Sequence, residues 1–160
     1  VHWTRGRHVQ SRVCRGGRPS RTEAKVLAHV LHRGEALSLV VIRIATGRRH
    51  QIRVHTGHVG HPTACDDKYT VHRVFLSDSS WCSRNFLHRY RLAFRDGAGT
   101  EHDVREPPLS DLWTALQQNR PRDGASRRAL GCWLRGEVPL DWQDYRCLQG
   151  TGHCGTARHG

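Results

Sequence analysis

The sequence predicts an α+β fold, because strand patterns and helical patterns alternate along one short chain. The clearest strand pattern is the run from Leu37 to Ile44, which is rich in β-branched residues and apolar on both faces. Such a run is typical of a central strand that is covered on both sides. The clearest helical pattern lies at residues 49–60, where apolar positions recur every three or four residues. With 160 residues, the chain has room for one domain or for a smaller core with a tail.

Two strands are predicted before this helix. Residues 1–20 are basic and rich in glycine, and a short strand is expected at residues 22–31. The strand at residues 37–44 follows and is ended by Thr46-Gly47. These elements lead directly into the most polar turn of the chain.

The helix predicted at residues 49–60 is expected to turn one face to the core and another to a surface or cleft. The predicted core face holds Ile52, His55 or Thr56, and Val59, and the opposite positions are Arg49, Gln51 and Arg53. Gly60 is suited to end the helix, because glycine readily adopts the left-handed conformation found at helix ends. Pro62 would prevent the helix from resuming.

The second half predicts a hairpin, a helix and a tail. Apolar residues alternate from Phe86 to Phe94, which predicts a strand with one buried face. Asp96-Gly97 suits the turn of a hairpin whose second strand runs through residues 100–104. A helix is expected at residues 110–118, with Ser110 as its N-cap. Residues 119–160 lack a clear pattern and are expected to form a polar linker at 121–128 and a poorly ordered, glycine-rich tail at 149–160. Between them a small hydrophobic patch is expected, consisting of Trp133, Leu134, Leu140, Trp142 and Tyr145.

The charge of the chain points to a polyanionic partner. Its formal net charge is +12, and only Lys25 and Lys68 among its 26 basic residues are lysines. A nucleic acid is the first candidate and an anionic membrane the second, although no segment approaches the roughly 20 apolar residues needed to span a bilayer. Arginine binds phosphate through two parallel hydrogen bonds and stacks on bases, which favours RNA. A GC-rich coding bias is an equally good explanation of the arginine content.

Residues 46–55 read TGRRHQIRVH and concentrate basic side chains, an amide and histidines in one turn and the start of a helix. This chemistry suits binding a polyanion and placing a cation beside a reacting centre. The segment resembles the T-G-R-x-H-Q-I-R-V-H signature of the RluA-like RNA pseudouridine synthases. The resemblance covers residues 15–118, with further matching blocks in order at 17–23, 37–44, 60–69, 86–94 and 108–109.

The resemblance implies a fold and an activity. The fold would be the C-terminal part of an α+β catalytic domain, with a mostly antiparallel mixed sheet flanked by helices, occupying residues 1–118 and followed by the tail at 119–160. The missing N-terminal half would supply strands to that sheet, so this chain is expected to expose an edge. The activity would be isomerisation of uridine to pseudouridine in structured RNA such as rRNA or tRNA, without a metal or an organic cofactor.

The resemblance also implies roles for residues of the signature. Arg53 matches the family arginine that pairs with the catalytic aspartate, keeping that carboxylate ionised and oriented. Ile52 would lie against the base that is taken out of the RNA stack. The other residues expected to bind RNA are Arg48, Arg49, His50, Gln51, His55 and His61.

Two departures from the family pattern limit these expectations. The catalytic aspartate of the family lies in an H-R-L-D motif before the segment matched at residue 17, with a conserved tyrosine between them. Only 15 residues precede Gly16, and they contain neither Asp nor Tyr. Cys65 and Thr70 also replace two glycines of a family turn, and Arg89 replaces a small residue. Because the chain starts at Val1 and has no methionine, we interpret it as a fragment, a processed product or the product of an incomplete gene model. Because the catalytic aspartate has no counterpart, we expect the chain to be inactive alone.

Two alternatives of other classes remain. The first is a catalytically inactive RNA-binding or ribosome-associated module of the same fold. The second is a metal-binding protein, because His50, His55, His58 and His61 have helical spacing and Cys147, His153 and Cys154 lie close together in sequence. No cysteine or carboxylate pattern completes either metal site, so no metal is expected. The thiols are expected to be reduced in an intracellular compartment, whether cytoplasm, plastid or mitochondrion, and the oligomeric state is open.

Overall fold

The structure is a computed structural model that describes residues 10–139 and 141–148. It contains two compact units, the first formed by residues 1–62 and 118–160 and the second by residues 63–117. In chain order the elements are β1 (Thr22–His32), β2 (Glu35–Ile44), α1 (Gln51–His58), α2 (His72–Ser79), β3 (Arg91–Arg95), β4 (Glu101–Arg105), α3 (Ser110–Gln117), β5 (Arg120–Pro121) and α4 (Gly124–Leu134). All strand pairs are antiparallel, which confirms the predicted α+β class. Over the described ranges, no helix is both long enough and apolar enough to cross a membrane.

The first unit is built around β1, which is the middle strand of a sheet with the order β2-β1-β5. Both strands predicted here, at residues 22–31 and 37–44, are confirmed. The prediction that residues 37–44 form a central, covered strand was wrong: β2 lies at one side of the sheet and has no buried residue. The central strand is β1, which has four buried residues. The β-branched run correctly indicated an apolar strand. It contained no information on which strand of the sheet is paired along both edges.

The polar linker expected at residues 121–128 is instead the end of β5 and the first half of α4. The Asp123 carboxylate caps α4 by accepting the backbone N–H of Ser126 at 2.7 Å. This hydrogen bond lowers the pKa of Asp123. The Ser126 side chain is fully buried and accepts the backbone N–H of His29 at 3.0 Å, so it joins the helix to β1. The Asp-x-x-Ser spacing was the signal for this cap.

Residues 141–148 are held on the sheet of the first unit by polar and aromatic contacts. The Lys25 ammonium donates hydrogen bonds to the carbonyl oxygens of Trp142, at 2.6 Å, and Tyr145, at 2.9 Å. The Tyr145 ring centroid lies 6.4 Å from those of Trp133 and Trp142, so these three rings form part of the predicted hydrophobic patch. Leu140, also expected in this patch, and the glycine-rich residues 149–160 lie outside the described residues.

The second unit has a small core between α2, α3 and the connecting loops. Its buried apolar members are Cys65, Cys82, Leu112 and Ala115. The helix predicted at residues 110–118 is confirmed as α3, whereas α2 was not predicted because its sequence lacks a clear apolar period. Cys65 adopts a φ of 56°, in the left-handed region that favours glycine, at a position where the family turn has glycine. Burial raises the pKa of the Cys65 thiol to about 11.

The predicted hairpin is confirmed as β3 and β4, but its predicted buried face was wrong. Every residue of β3 is exposed, including Leu92 at 43% and Phe94 at 46%. Phe94 instead stacks on His102 across the hairpin, with ring centroids 4.8 Å apart. The turn is held by the Asp96 carboxylate, which accepts the backbone N–H groups of Ala98 and Thr100, both at 2.9 Å. The alternating pattern therefore gave the pairing correctly, but a two-stranded ribbon has no second layer to cover it.

The ion pairs of the second unit predict acid lability. The Arg84 guanidinium lowers the pKa of Asp111, and Arg91 lowers that of Asp103. A carboxyl group whose pKa is lowered by folding stabilises the protein above its unfolded pKa, and this contribution is lost as the pH falls through the folded value. We therefore expect the urea midpoint of this unit to be constant from pH 7 to about 5 and to fall below about pH 4.

A variant can assign part of this acid dependence. In Arg84→Gln, Asp111 loses its charged partner, so the midpoint should be lower at pH 7 and should vary less between pH 5 and 3. Because Arg84 and Asp111 are half-buried and still reached by solvent, the effect of this pair should be modest. An unchanged pH dependence in Arg84→Gln would contradict the assignment.

Candidate functional site at the β2–α1 turn

The turn between β2 and α1 is organised by Gln51, the first residue of α1, which is only 4% exposed. Its Oε1 accepts the Thr46 hydroxyl at 2.9 Å and the Arg48 backbone N–H at 3.1 Å. Its Nε2 donates to the Arg21 carbonyl at 3.0 Å and to Thr22 Oγ1 at 3.1 Å. One amide therefore fixes the shape of the turn and attaches it to the beginning of β1.

His55, one turn later on α1, makes a second attachment to the same strand. Its Nδ1 lies 2.8 Å from Thr22 Oγ1, and its Nε2 lies 3.3 Å from Ser20 Oγ. A tautomer with hydrogen on Nε2 satisfies both contacts, because the Thr22 hydroxyl can then donate to Nδ1 while accepting from Gln51. Thr22 is thus shared by the two inward polar residues of α1.

Of the two predicted ends of α1, the structure changes the first and confirms the role of glycine at the second. The helix begins at Gln51, after His50 with a φ of 54°, rather than at residue 49. At the other end, Gly60 has a φ of 84°, its N–H binds Gly57 O, and the N–H of His61 binds Thr56 O. This is a Schellman motif, so the predicted role of Gly60 is confirmed.

The predicted core stripe of α1 was wrong. The buried residues are Gln51 and Val54, and Val59 is 56% exposed. An amide was assigned to the surface because it is polar, but four hydrogen bonds make its burial favourable here. Ile52 is half-buried.

The predicted site residues fall into two groups. Gln51 and His55 face inward and are already hydrogen-bonded to β1 and the preceding loop. Arg48, Arg49 and His61 are exposed, whereas His50, Ile52 and Arg53 are half-buried. The structure adds two residues that were not predicted as site residues, Ser20 and Thr22. Their only sequence signal was their place in the matching block at residues 17–23.

The net positive charge of the chain belongs entirely to the unit that carries this turn. The first unit holds 19 of the 26 basic residues and six of the 14 acidic ones, a net charge of +13. The second unit holds seven basic and eight acidic residues, a net charge of −1. The excess of positive charge that suggested a polyanionic partner therefore lies in the first unit.

The histidines near the turn do not group with other metal-ligating side chains. Within residues 10–139 and 141–148, no three His, Cys, Asp or Glu side chains are arranged to hold a metal ion. His153 and Cys154, considered from the sequence, lie outside these residues.

Comparisons with known proteins identify relatives over most of the chain. It is 37% identical over 113 residues to the ribosomal large subunit pseudouridine synthase C of Escherichia coli, covering 68% of this chain and 34% of that protein. It is 33% identical over 114 residues to the bovine RNA pseudouridylate synthase domain-containing protein 1, covering 69% of this chain and 36% of that protein. A further match of 46% over 59 residues, to a MATH and LRR domain-containing protein of Plasmodium falciparum, covers 37% of this chain and 1% of that protein.

A solved structure supports the same relationship. The human RNA pseudouridylate synthase domain-containing protein 1 aligns with a TM-score of 0.55 and 30% sequence identity, covering 68% of this chain and 42% of that chain. No protein-family model matches the chain. The chain spans about a third of the length of the curated synthases that it matches. These relatives and the shared fold show that the chain belongs to the RluA-like RNA pseudouridine synthase family.

Proposed function

We propose that this chain is the part of an RNA pseudouridine synthase that contributes the arginine-bearing turn and helix to the active site. The observation that carries the proposal is the Gln51 network, which fixes the TGRRHQIRVH segment against β1. A catalytic arginine needs such support, because small displacements of a catalytic group cost large factors in rate. Gln51 and His55, predicted as RNA contacts, are better suited to position the segment, since their polar atoms already bind protein groups.

The proposed reaction rearranges one uridine without adding or removing atoms. The uridine leaves the RNA stack, its N-glycosidic bond breaks, the uracil rotates, and a carbon of the ring is rejoined to the ribose. The family aspartate would supply the nucleophile or base. Arg53 would bind both oxygens of that carboxylate, which favours its ionised form. Ile52 would pack against the flipped base, and exposed Arg48, Arg49 and His61 would contact phosphates.

The position of β2 supports the proposed missing partner of this chain. β2 lies at one side of the sheet, and its residues Val40, Val41 and Ile42 are only half-buried. A strand edge with apolar neighbours is suited to receive another strand. We propose that the part of the fold bearing the aspartate pairs with β2 at this edge.

An intracellular location of the protein remains a prediction.

The catalytic proposal is tested by measuring pseudouridine in ribosomal RNA transcripts. The chain alone is expected to form none. A longer protein, encoded by the same messenger RNA and carrying an upstream H-R-L-D segment, is expected to form pseudouridine at specific uridines. Specific activity of the isolated chain would contradict the need for the family aspartate.

A second candidate is a non-catalytic RNA-binding module of the same fold, for which the net charge of +13 on the first unit is the supporting observation. It predicts the same salt-sensitive RNA binding. It would be supported if the transcript encodes no aspartate motif and RNA binding persists without any pseudouridine formation.

A further inference from the structure

We propose that the first unit carries a second RNA-phosphate contact surface, at the end of β1 remote from the β2–α1 turn. This surface, called here the distal arginine surface, consists of Arg33, Arg120, Arg122, Arg127 and Arg128. It lies outside the signature at residues 46–55 and three of its members belong to or precede α4, where the sequence predicted a linker. The proposal rests on the proposed function for the nature of its partner, an RNA.

Strand pairing gathers these residues around the last residues of β1. Arg120 pairs with Leu31 in the sheet, and the N–H of Arg122 binds the carbonyl of His29 at 2.9 Å. Arg33 lies in the turn after β1, only two residues beyond Leu31. The backbone positions of Arg33, Arg120 and Arg122 are therefore fixed by the sheet and by the turn after β1.

α4 is attached at the same place. The His29 N–H binds the Ser126 hydroxyl at 3.0 Å, which places Arg127 and Arg128 beside this end of β1. Since the helix is also capped by Asp123, the two arginines are carried on an anchored backbone. The backbones of the five arginines therefore lie near residues 29–31 of β1.

The five arginines are exposed and nearly free of carboxylate partners. Among the described residues, Arg33, Arg120, Arg127 and Arg128 make no ion pair. Arg122 has one long contact, 3.7 Å from a carboxylate oxygen of Asp123. The negative charge of that carboxylate offsets only one of the five positive charges of the surface.

Other arginines of the same unit show the contrasting arrangement. Arg21 and Arg43 share the carboxylate of Glu23, and Arg135 binds Glu137 at 2.7 Å. Two acidic side chains of this unit, Glu23 and Glu137, are therefore paired with other arginines. Neighbouring positive charges that are only partly compensated among the described residues repel one another, and a bound polyanion relieves this repulsion.

The spacing of the two basic regions favours a long polyanion. Thr22, at the beginning of β1, contacts Gln51 and His55 of the signature. Val30, near its end, pairs with Pro121 beside the distal arginine surface. At about 3.3 Å per strand residue, these two ends of β1 are about 26 Å apart. One phosphate cannot reach both regions, whereas a structured RNA presents phosphates continuously over such a distance, and arginine suits phosphate in particular.

The test compares two doubly substituted forms of the full 160-residue chain. Arg127→Gln/Arg128→Gln removes two charges from the distal arginine surface. Arg73→Gln/Arg89→Gln removes two charges from exposed positions of the second unit and is the matched control. Glutamine has a helix propensity close to that of arginine, which matters at Arg73, Arg127 and Arg128, and Arg89 is exposed outside any helix or strand. Both variants should therefore fold, which circular dichroism can check. Binding of a labelled ribosomal RNA hairpin is measured over a range of salt concentrations.

The distal variant is expected to bind about tenfold more weakly near 0.1 M salt, and its slope of log affinity against log salt should fall by about 1.4 to 1.8, because each lost phosphate contact removes about 0.7 to 0.9. The control should match the unsubstituted chain. Equal affinities and slopes for the two variants would overturn the inference and leave the proposed function intact.

Two further outcomes also overturn the inference. If the unsubstituted chain shows no salt-dependent RNA binding, the RNA partner of the proposed function fails with it. If the distal variant loses binding to phosphatidylserine vesicles but not to the RNA hairpin, the surface serves a membrane instead.

Discussion

Replacing Arg53 by glutamine is expected to lower pseudouridine formation at least about 100-fold in a protein that joins this chain to the aspartate segment. The proposed task of Arg53 is to bind and orient that carboxylate, and no other group of the signature offers a fork of donors in the same place. Arg53→Lys should fail almost as severely, because an ammonium cannot form the two parallel hydrogen bonds of a guanidinium.

The pH dependence of the residual activity gives a sharper readout than its size. Removing a cation beside a carboxylate raises the pKa of that carboxylate. The acidic limb of the pH–rate profile should therefore move to higher pH in Arg53→Gln. A variant that was merely misfolded would lose activity without this displacement.

Arg49→Gln is the matched control for Arg53→Gln. Arg49 lies in the turn before the helix that bears Arg53, carries the same charge and is exposed, whereas Arg53 is half-buried. Its loss should weaken RNA binding and reduce the salt slope by about one, with the rate at saturating RNA little changed. If Arg53→Gln and Arg49→Gln had the same effect, Arg53 would be a phosphate contact and its proposed catalytic role would be wrong.

The sequence predicted the individual strands and helices better than their pairing and burial. β1, β2, the β3–β4 hairpin and α3 were found because their patterns are local. The position of β2 at one side of the sheet and the exposure of β3 could not be read in this way, because they depend on which distant segments pair or pack with each strand. α4 was missed although Asp123 and Ser126 form a recognisable cap, since two glycines and two arginines interrupt its apolar pattern.

The candidate site shows the same division. The segment at residues 46–55 was recognisable from its residue types alone, and Gly60 ends α1 as expected. The inward orientation of Gln51 and His55 depends on Ser20 and Thr22, about 30 residues earlier, and no helical periodicity contains that information. Polarity suggested a ligand contact, whereas the structure gives each polar atom a protein partner.

The internal role of Gln51 predicts a large loss of stability in Gln51→Leu. Leucine has a similar size but can neither accept the Thr46 hydroxyl and the Arg48 N–H nor donate to the Arg21 carbonyl and Thr22. Leaving such groups without partners in a buried place costs about 1–3 kcal/mol each when water cannot reach them. Since some partners lie near the surface, we expect a total loss of about 2–4 kcal/mol in the free energy of unfolding of the first unit, measured by urea denaturation.

Gln143→Leu makes the same chemical change at an exposed position of the same unit and should alter stability by less than about 0.5 kcal/mol. Amide hydrogen exchange distinguishes a local effect from general destabilisation, because the Arg48 N–H is bound to the Gln51 side chain. Under native conditions its exchange should accelerate in Gln51→Leu more than that of amides within the β1–β2 ladder. Equal urea midpoints for Gln51→Leu and Gln143→Leu would show that the turn keeps its shape without the amide, and the positioning role assigned to Gln51 would then be wrong.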